Sequence, residues 1–595
     1  MKKYFLLFVF FSFLFSHSLY SQASVDPNDD FYEDVTGWYI KGLVERLPQV
    51  KPYTLVQVRE ILSQVMECED EKEAKRANDY WVSHFKFPVH LKAEGGFGLN
   101  FALSEDPDSS EALYEDTFEL YSAKGTLTSD FMLGPYVGLG MNVSFRGTNN
   151  DDSISCQFPR FVNNSEYSKM EGLSFSDGDI DYIFEPAANI SFGKGFFNAS
   201  LGYSRLGYGI FTDSDLILNP RSNPMPNAVL DFVSNYLEYT HVQAFASASS
   251  ISEEDDYCWG KVFAFHSFRV PLFNRKFLIS YYESVVYGEG FNASYLMPVP
   301  WAVIANVAGF NENLLAGINL QFKPVDCFVW STDFLFDDID EIKDFVKLKW
   351  NDAVVRAAIK TGIVYTPTSS PCRMIKFDYT LVTPYTYSYY DTRDSSYNYA
   401  EYSNNGICIG SDLIPNSHQF AVDIKFNPVS RFYITSSSKF ILHANPLENL
   451  SVSDIYSAYE AAKNSGLSQA QLAYALYNDG TNFMNQEHKM AVVRSGIDLS
   501  YEFAAKSLSS FKFFAGYTFE YIMNDGVDAE IYPSSYERTE VKRADILKAY
   551  FSHDTASLTK YMREQNPLEF AKKDWIDNLS NTYHHYFTAG VVLKL

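Results

Sequence analysis

Few side chains in this 595-residue chain have the type and spacing to do chemistry. Asp255-Asp256 and Asp337-Asp338 are adjacent carboxylates. Glycoside hydrolysis needs two carboxylates placed across a sugar, whereas pairs in the loops of so acidic a chain read as solvation or a Ca²⁺ contact. His584 and His585 fall on opposite faces of an alternating strand, a poor chelate for a metal. Gly207-Tyr208-Gly209 is a lone GxG without a strand-to-helix context and reads as the packing of a sheet strand. No phosphate-binding glycine loop, HExxH or GxSxG elbow is present. The sequence therefore leads to no catalytic residue, no metal site and no cofactor. What remains is a binding or structural constellation. Arg205 and Arg221 flank one polar-apolar segment, and Glu283 is the expected acidic partner of a buried arginine. Tyr203 and Tyr208 are either platforms for stacking on a sugar ring or interfacial aromatics.

Composition limits what these residues can serve. Asp and Glu number 74 against 48 Lys and Arg, a formal charge of −26. So anionic a chain is a poor partner for nucleic acid, whose binding depends on cation–phosphate contacts. Aromatic residues make up 17 % of the chain, and mean hydropathy is −0.19. The 46 % apolar fraction is that of a folded protein.

The first residues read as an export signal. Met1-Lys2-Lys3 is a basic head, Tyr4 to Phe15 an apolar run, and Ser21-Gln22-Ala23 a small–x–small cleavage site. The run is too short to span a bilayer. Cleavage is expected after Ala23, with Ser21 as the alternative. No cysteine stands near the site to carry a lipid. Cys68, Cys156, Cys258, Cys327, Cys372 and Cys408 are widely spaced, without a CxxC pair, and read as isolated thiols.

The elements that must position the candidate residues change character near Phe87. Residues 24–86 read as a periplasmic helical segment. Phe31, Val35, Trp38, Leu43 and Leu47 recur at helical spacing up to the breakers Pro48 and Pro52. Thr54 caps a second helix with Val56, Val58, Ile61, Leu62 and Val65 as its apolar face, and Asp70 to Trp81 suits a third. Beyond Phe87 the period is two. In residues 317–336, Ile318, Leu320 and Phe322 face one way, while Asn319 and Gln321 face the other. After a Pro-Val turn, Phe328, Trp330, Phe334 and Phe336 share a face. Residues 421–440 repeat the design, with Val422, Ile424 and Phe426 opposite Asp423 and Lys425.

Such alternation suits a transmembrane barrel, whose closure leaves no backbone edge unpaired. It also suits a soluble sandwich, whose apolar face meets a second sheet. The C-terminus helps to separate them. From Tyr583 onward the chain ends as a strand with Tyr583, Phe587, Ala589, Val591, Leu593 and Leu595 on one face. His584, Tyr586, Thr588, Gly590 and Lys594 lie on the other, and His585 is the one polar residue on the apolar face. A chain that stops on an aromatic, alternating strand resembles the assembly signal of outer-membrane barrels. The fold expected is an all-β transmembrane barrel over residues 87–595. At about 28 residues per strand with its loops, it takes about 18 antiparallel strands, with 16 as the lower count. Helical loop insertions are expected near 452–480 and 540–577, and acidic loops at 104–116, 148–154 and 252–257.

Two stretches resemble the capsule assembly protein Wzi family. Residues 202–232 carry Arg205, Gly207, Gly209, then Leu216-Ile217-Leu218-Asn219, then Pro224 and Pro226. Residues 280–324 carry Glu283-Ser284, Tyr287-Gly288, Pro298, Asn311, Asn313 and Gly317, followed by the acidic strand end Phe334-Leu335-Phe336-Asp337-Asp338. The resemblance implies an 18-stranded outer-membrane barrel with a helical bundle at its periplasmic mouth. It also implies lumen-filling segments that close the pore, and a lectin-like role in holding capsular polysaccharide or exopolysaccharide. An anionic polymer would need basic groups gathered locally.

The function expected is therefore non-enzymatic surface attachment or assembly of polysaccharide in the cell outer membrane. The rival is a porin-type diffusion channel, which with an acidic lumen would favour cations or neutral solutes. The expected partners are surface polysaccharide, outer-membrane lipid and the barrel assembly machinery, with the protein itself a monomer. Arg205, Arg221, Glu283, Tyr203 and Tyr208 are the expected ligand-binding or lumen-network residues.

Overall fold

A computed structural model describes residues 26–87, 89–105, 117–149, 162, 173–211, 215–250, 257–288, 290–307, 312–339, 355–368, 370–384, 386–388, 396–444, 486–504, 510–525, 557, 560 and 579–595. The export signal, Cys156, the helical insertion expected near 452–480, that expected near 540–577 apart from residues 557 and 560, and most of the acidic loops lie outside the described residues.

Eighteen antiparallel strands close into one barrel. In chain order they are β1 (Val89–Glu105), β2 (Thr117–Leu133), β3 (Val137–Asn149), β4 (Ile180–Lys194), β5 (Phe197–Ser204) and β6 (Met225–Val233). Next come β7 (Glu238–Ser250), β8 (Tyr257–Leu272), β9 (Phe277–Tyr287), β10 (Asn313–Phe322), β11 (Phe328–Ile339) and β12 (Val355–Tyr365). The wall is completed by β13 (Cys372–Val382), β14 (Ser417–Val429), β15 (Phe432–His443), β16 (Met490–Ala504), β17 (Ser510–Asp525) and β18 (Ser580–Lys594). The last strand closes the ring on the first, with Lys594 opposite Lys92 and Asn581 opposite Glu105. Neither has a free edge, as a membrane-spanning sheet requires.

The period of two sorts the side chains. Phe587 and Val591 on β18, Ile318 and Phe322 on β10 and Phe377 on β13 are exposed on the outer face. Asn319, Gln321, Asp423 and Tyr586 are buried toward the lumen. The outer face is thus a belt of large apolar side chains, the surface that lipid requires.

Three helices cap the end of the barrel that carries the short turns. Helix α1 (Asp30–Ile40) starts at Asp29, whose carboxylate accepts from the Phe31 N–H at 2.8 Å. It stops at Ile40, well short of Pro48, because Gly42 with φ +80° turns the chain out of the helix. Helix α2 (Leu55–Met66) begins with a capping box between Thr54 and Gln57. Helix α3 (Glu71–Trp81) is capped by Asp70. Trp38 Nε1 donates to Glu73 at 2.8 Å, and Phe31, Tyr32, Trp38, Leu62 and Val65 form the core of this cap. Polar contacts seat it on the wall. Gln57 donates to Asp231 at 3.1 Å, Gln321 to the Tyr39 hydroxyl at 2.7 Å, and the Arg373–Asp34 and Lys425–Glu33 ion pairs close the same seam.

Two connections turn into the lumen. The first, residues 205–224, joins β5 to β6. Its Gly207–Tyr208 pair forms a two-residue strand with Val50–Lys51 of the cap. The GxG is therefore part of an interior segment and not of a wall strand. At Gly209, φ is +82° and an added Cβ would stand 2.3 Å from Asp215 Oδ2, so only glycine fits. The second, residues 383–416, joins β13 to β14. Leu216, Ile217, Leu218, Tyr387, Tyr402, Ile409 and Leu413 from these segments bury themselves against Val242, Phe263, Phe265, Tyr282 and Leu315 of the wall. One side of the barrel interior is thus an apolar core.

Candidate functional site

The opposite side of the interior holds the candidate site, a cavity of about 480 Å³. Alternate residues of β1, β2, β4 and β16–β18 present Lys92, Glu94, Lys124, Glu185, Asp498, Lys512 and Lys594 to it. Asp26, Asp29 and Asp30 reach it from the start of the cap, and Arg205 from the first inward segment. Five basic and six acidic side chains line it. The large acid excess of the chain is not concentrated here, so this cavity is not the acidic lumen expected of the channel reading.

Glu185 is the hub of one wall. Its Oε2 accepts from Lys124 Nζ at 3.1 Å and its Oε1 from Arg205 Nη2 at 3.3 Å. Arg205 Nη1 also donates to the Ser222 carbonyl at 2.7 Å, which ties the inward segment to itself. Lys92 and Glu94 pair at 3.0 Å. On the floor, burial pushes the Asp29 carboxyl up to about 7, with the charge of Asp30 adding to the effect. The side chain is nonetheless only half-buried and lines the cavity, so solvent screening reduces the effect. Paired charges of both signs around a water-filled space can hydrogen-bond hydroxyl-rich or weakly charged solutes from several sides.

The expected site residues separate. Arg205 lines the cavity. Arg221 sits elsewhere, with Nη1 3.4 Å from Asp412 Oδ2, and joins the first inward segment to the second. Tyr208 is buried in the apolar core, packed edge-on to Phe265 and Tyr282, and offers no open face for a sugar. Tyr203 lies on the outward parity of β5, alternating with Gly202 and Ser204, as does exposed Leu201. Glu283 is not a partner of either arginine. It shares the outward face of β9 with Tyr281 and Val285, and its Oε1 lies 3.1 Å from His266 Nδ1. The reason is parity, because its neighbour Tyr282 takes the lumen side against Tyr208.

Sequence reading missed Lys92, Lys124, Glu185, Lys512 and Lys594. Their signal was charge recurring on the polar parity of strands. Which strands enclose a common space depends on the closure of the ring. Among the described residues, the five cysteines have free thiols, and no group of three or more His, Cys, Asp or Glu side chains is placed to hold a metal ion.

No protein-family model and no curated protein matches the chain. Solved structures do. One is Wzi of Escherichia coli, described as an outer-membrane protein involved in group 1 capsule assembly and a carbohydrate-binding β-barrel. It is 10 % identical with a TM-score of 0.49, over 85 % of this chain and 96 % of that one. Another is OccAB4 of Acinetobacter baumannii, 8 % identical with a TM-score of 0.38, over 85 % and 98 %. A third is OccK2 of Pseudomonas aeruginosa, solved with glucuronate, 8 % identical with a TM-score of 0.36, over 85 % and 98 %. Likenesses this distant say nothing of ligand or role.

Proposed function

We propose that this chain is a non-enzymatic outer-membrane barrel, closed to free diffusion, that attaches or helps assemble polysaccharide at the cell surface. The observation that supports this reading most is the apolar core inside the barrel. A diffusion channel needs a continuous water path, whereas here Leu216, Ile217, Leu218, Tyr387 and Tyr402 are buried in the interior. The helical cap stands across one mouth. One of the two stretches that carry the Wzi-like resemblance, residues 202–232, contains the first inward segment, so that part of the resemblance falls on an element that fills the barrel. Retention would come from weak contacts of many sugar units with the protein, summed by avidity. The barrel assembly machinery would read the final strand, and the protein would act as a monomer.

The second reading, a channel for small solutes, is favoured by one observation: the charged, water-facing cavity on the other side of the interior. Planar-bilayer recording together with polysaccharide pull-down separates the two. The closed reading expects no stable conductance steps and retention of an acidic capsular or exopolysaccharide. Regular open steps without retention would replace it by the channel.

A further inference from the structure

Strands β7, β8 and β9 are buried on both faces over much of their length. Inside, the two inward segments cover them. Outside, where lipid should lie, the wall carries a polar stripe of His241, His266, Glu283 and Tyr281. His266 and Glu283 meet at 3.1 Å, and Tyr281 Oη donates to Glu283 Oε2 at 3.0 Å. Such a stripe exposed to hydrocarbon is costly.

Residues 290–307, from the connection between β9 and β10, cover it. The Tyr295 ring packs tilted against Tyr287 at 4.8 Å between ring centres, and its carbonyl lies 2.7 Å from His266 Nε2. Helix α4 (Trp301–Val307) turns its first N–H groups to the wall. Ala302 N and Val303 N donate to the two oxygens of Glu283 at 2.9 and 3.3 Å. Ala302, Ala305 and Tyr295 pack on Val262, Ala264 and Val285. His266 and Glu283 of the polar stripe are thus hydrogen-bonded by a flap on the outside of the barrel, latched by a carboxylate at a helix start.

The other face of the flap is apolar and exposed. Phe291, Leu296, Met297, Val299 and Ile304 are 37–51 % accessible. They continue the belt formed by neighbouring outward residues such as Phe245 and Ile318. Glu283 stands six residues above the capped-end turn. At about 3.3 Å per residue and a tilt of about 40°, that places it roughly 15 Å up an apolar band about 25 Å tall. We propose that residues 290–307 form a wall flap inserted among the acyl chains of the leaflet farther from the helical cap. Glu283 latches it, and bilayer lipid is the partner of its outer face. This rests on the barrel spanning a membrane and is independent of any polysaccharide.

The test uses the full-length protein with its six cysteines replaced, reconstituted in phosphatidylcholine vesicles. Single cysteines carry an environment-sensitive fluorophore at Ile304→Cys, at Ile318→Cys on the belt and at Glu71→Cys on the cap. Doxyl-labelled lipid is expected to quench the label at 304 within about twofold of that at 318, and aqueous iodide to quench only the label at 71. Iodide quenching at 304 equal to that at 71 overturns the proposal. So does protection from both quenchers, the result for a face covered by a second copy. Glu283→Ala is expected to raise iodide access at 304, and Glu283→Gln, which keeps an acceptor oxygen, to preserve protection. If Glu283→Ala fails to give the heat-modifiable barrel, the comparison of 304, 318 and 71 decides alone.

Discussion

Tyr387 Oη donates to the Leu216 carbonyl at 2.7 Å, so a side chain of one inward segment satisfies a buried backbone group of the other. Tyr402 Oη repeats the arrangement on the Ile217 carbonyl at 3.0 Å and is itself held at 2.8 Å by Ser284 of the wall. The two segments are thus knitted through consecutive carbonyls of an apolar run. Tyr387→Phe and Tyr402→Phe each leave one buried carbonyl unpaired, a cost on the order of 1–3 kcal/mol. Each variant is expected to lose its heat-modifiable gel mobility at a lower temperature than the parent, and the double variant lower still. Unchanged midpoints would show that the hydroxyls do not hold the segments.

Ile217 tests closure directly. Its side chain is fully buried among apolar neighbours in the filled half of the interior. Ile217→Ala removes packing and should cost about 2–5 kcal/mol. Ile217→Asp introduces a carboxylate that has no built partner there, which the core cannot hold charged. The expected outcome is a wall that still forms, as judged by strand content, with conductance steps in planar bilayers that the parent lacks. A silent Ile217→Asp barrel would mean that something other than this core closes the path.

The alternation that specifies the wall was legible, and the packing partners of the segments that fill it were not. The alternation of Ile318, Leu320 and Phe322 against Asn319 and Gln321 is local, and it fixes which face meets lipid once the strand forms. The same holds for the final strand from Tyr583. Leu216-Ile217-Leu218 is different, because three consecutive apolar residues have no preferred face. Their burial depends on Tyr387 and Tyr402, which lie far along the chain. Glu283 shows a second limit. It was read as a lumen residue because a lone carboxylate suits a lumen better than lipid, and only the structure sets it on the outward face with Tyr281 and Val285. The flap that makes the outward position tolerable comes from a connection whose course no local pattern dictates. The cavity lay between these cases. Lys92 and Lys594 were readable as inward, but their proximity follows from the pairing of the first strand with the last.

Glu185 tests whether the cavity meets an acidic ligand. It accepts from both Lys124 and Arg205. Glu185→Gln removes one negative charge and releases two cations into a space otherwise near balance. For a uronic-acid oligosaccharide the expected change is a several-fold gain in affinity, equivalent to about 1 kcal/mol. Lys124→Gln should weaken binding by a similar factor. Isothermal titration at low and high salt reads both, and the gain in Glu185→Gln should shrink as salt screens the released cations. Identical affinities in parent and variants would place the ligand elsewhere on the protein.

Asp29 makes the seating of the cap depend on pH. Its carboxyl is raised from the ordinary 3.8 to about 7, first by burial and then by the charge of Asp30. The folded protein therefore binds this proton more tightly than the unfolded chain does. Below about pH 4 the group is protonated in both states and contributes no difference. Between about 4 and 7 the folded state progressively loses stability relative to that reference, and above 7 the full cost is present. Because the side chain borders cavity water, the cost is discounted to about 1–2 kcal/mol. Asp29→Asn keeps an oxygen to accept from the Phe31 N–H, which now lies at 2.8 Å from the carboxylate, and removes the charge. The variant should match the parent at pH 4 and exceed it at pH 8, with the gap opening between those values. Thermal unfolding in detergent across this range gives the comparison. A parent more stable than Asp29→Asn at pH 8 would mean that attraction from Lys92 outweighs burial, and that the cap is seated by a charged Asp29.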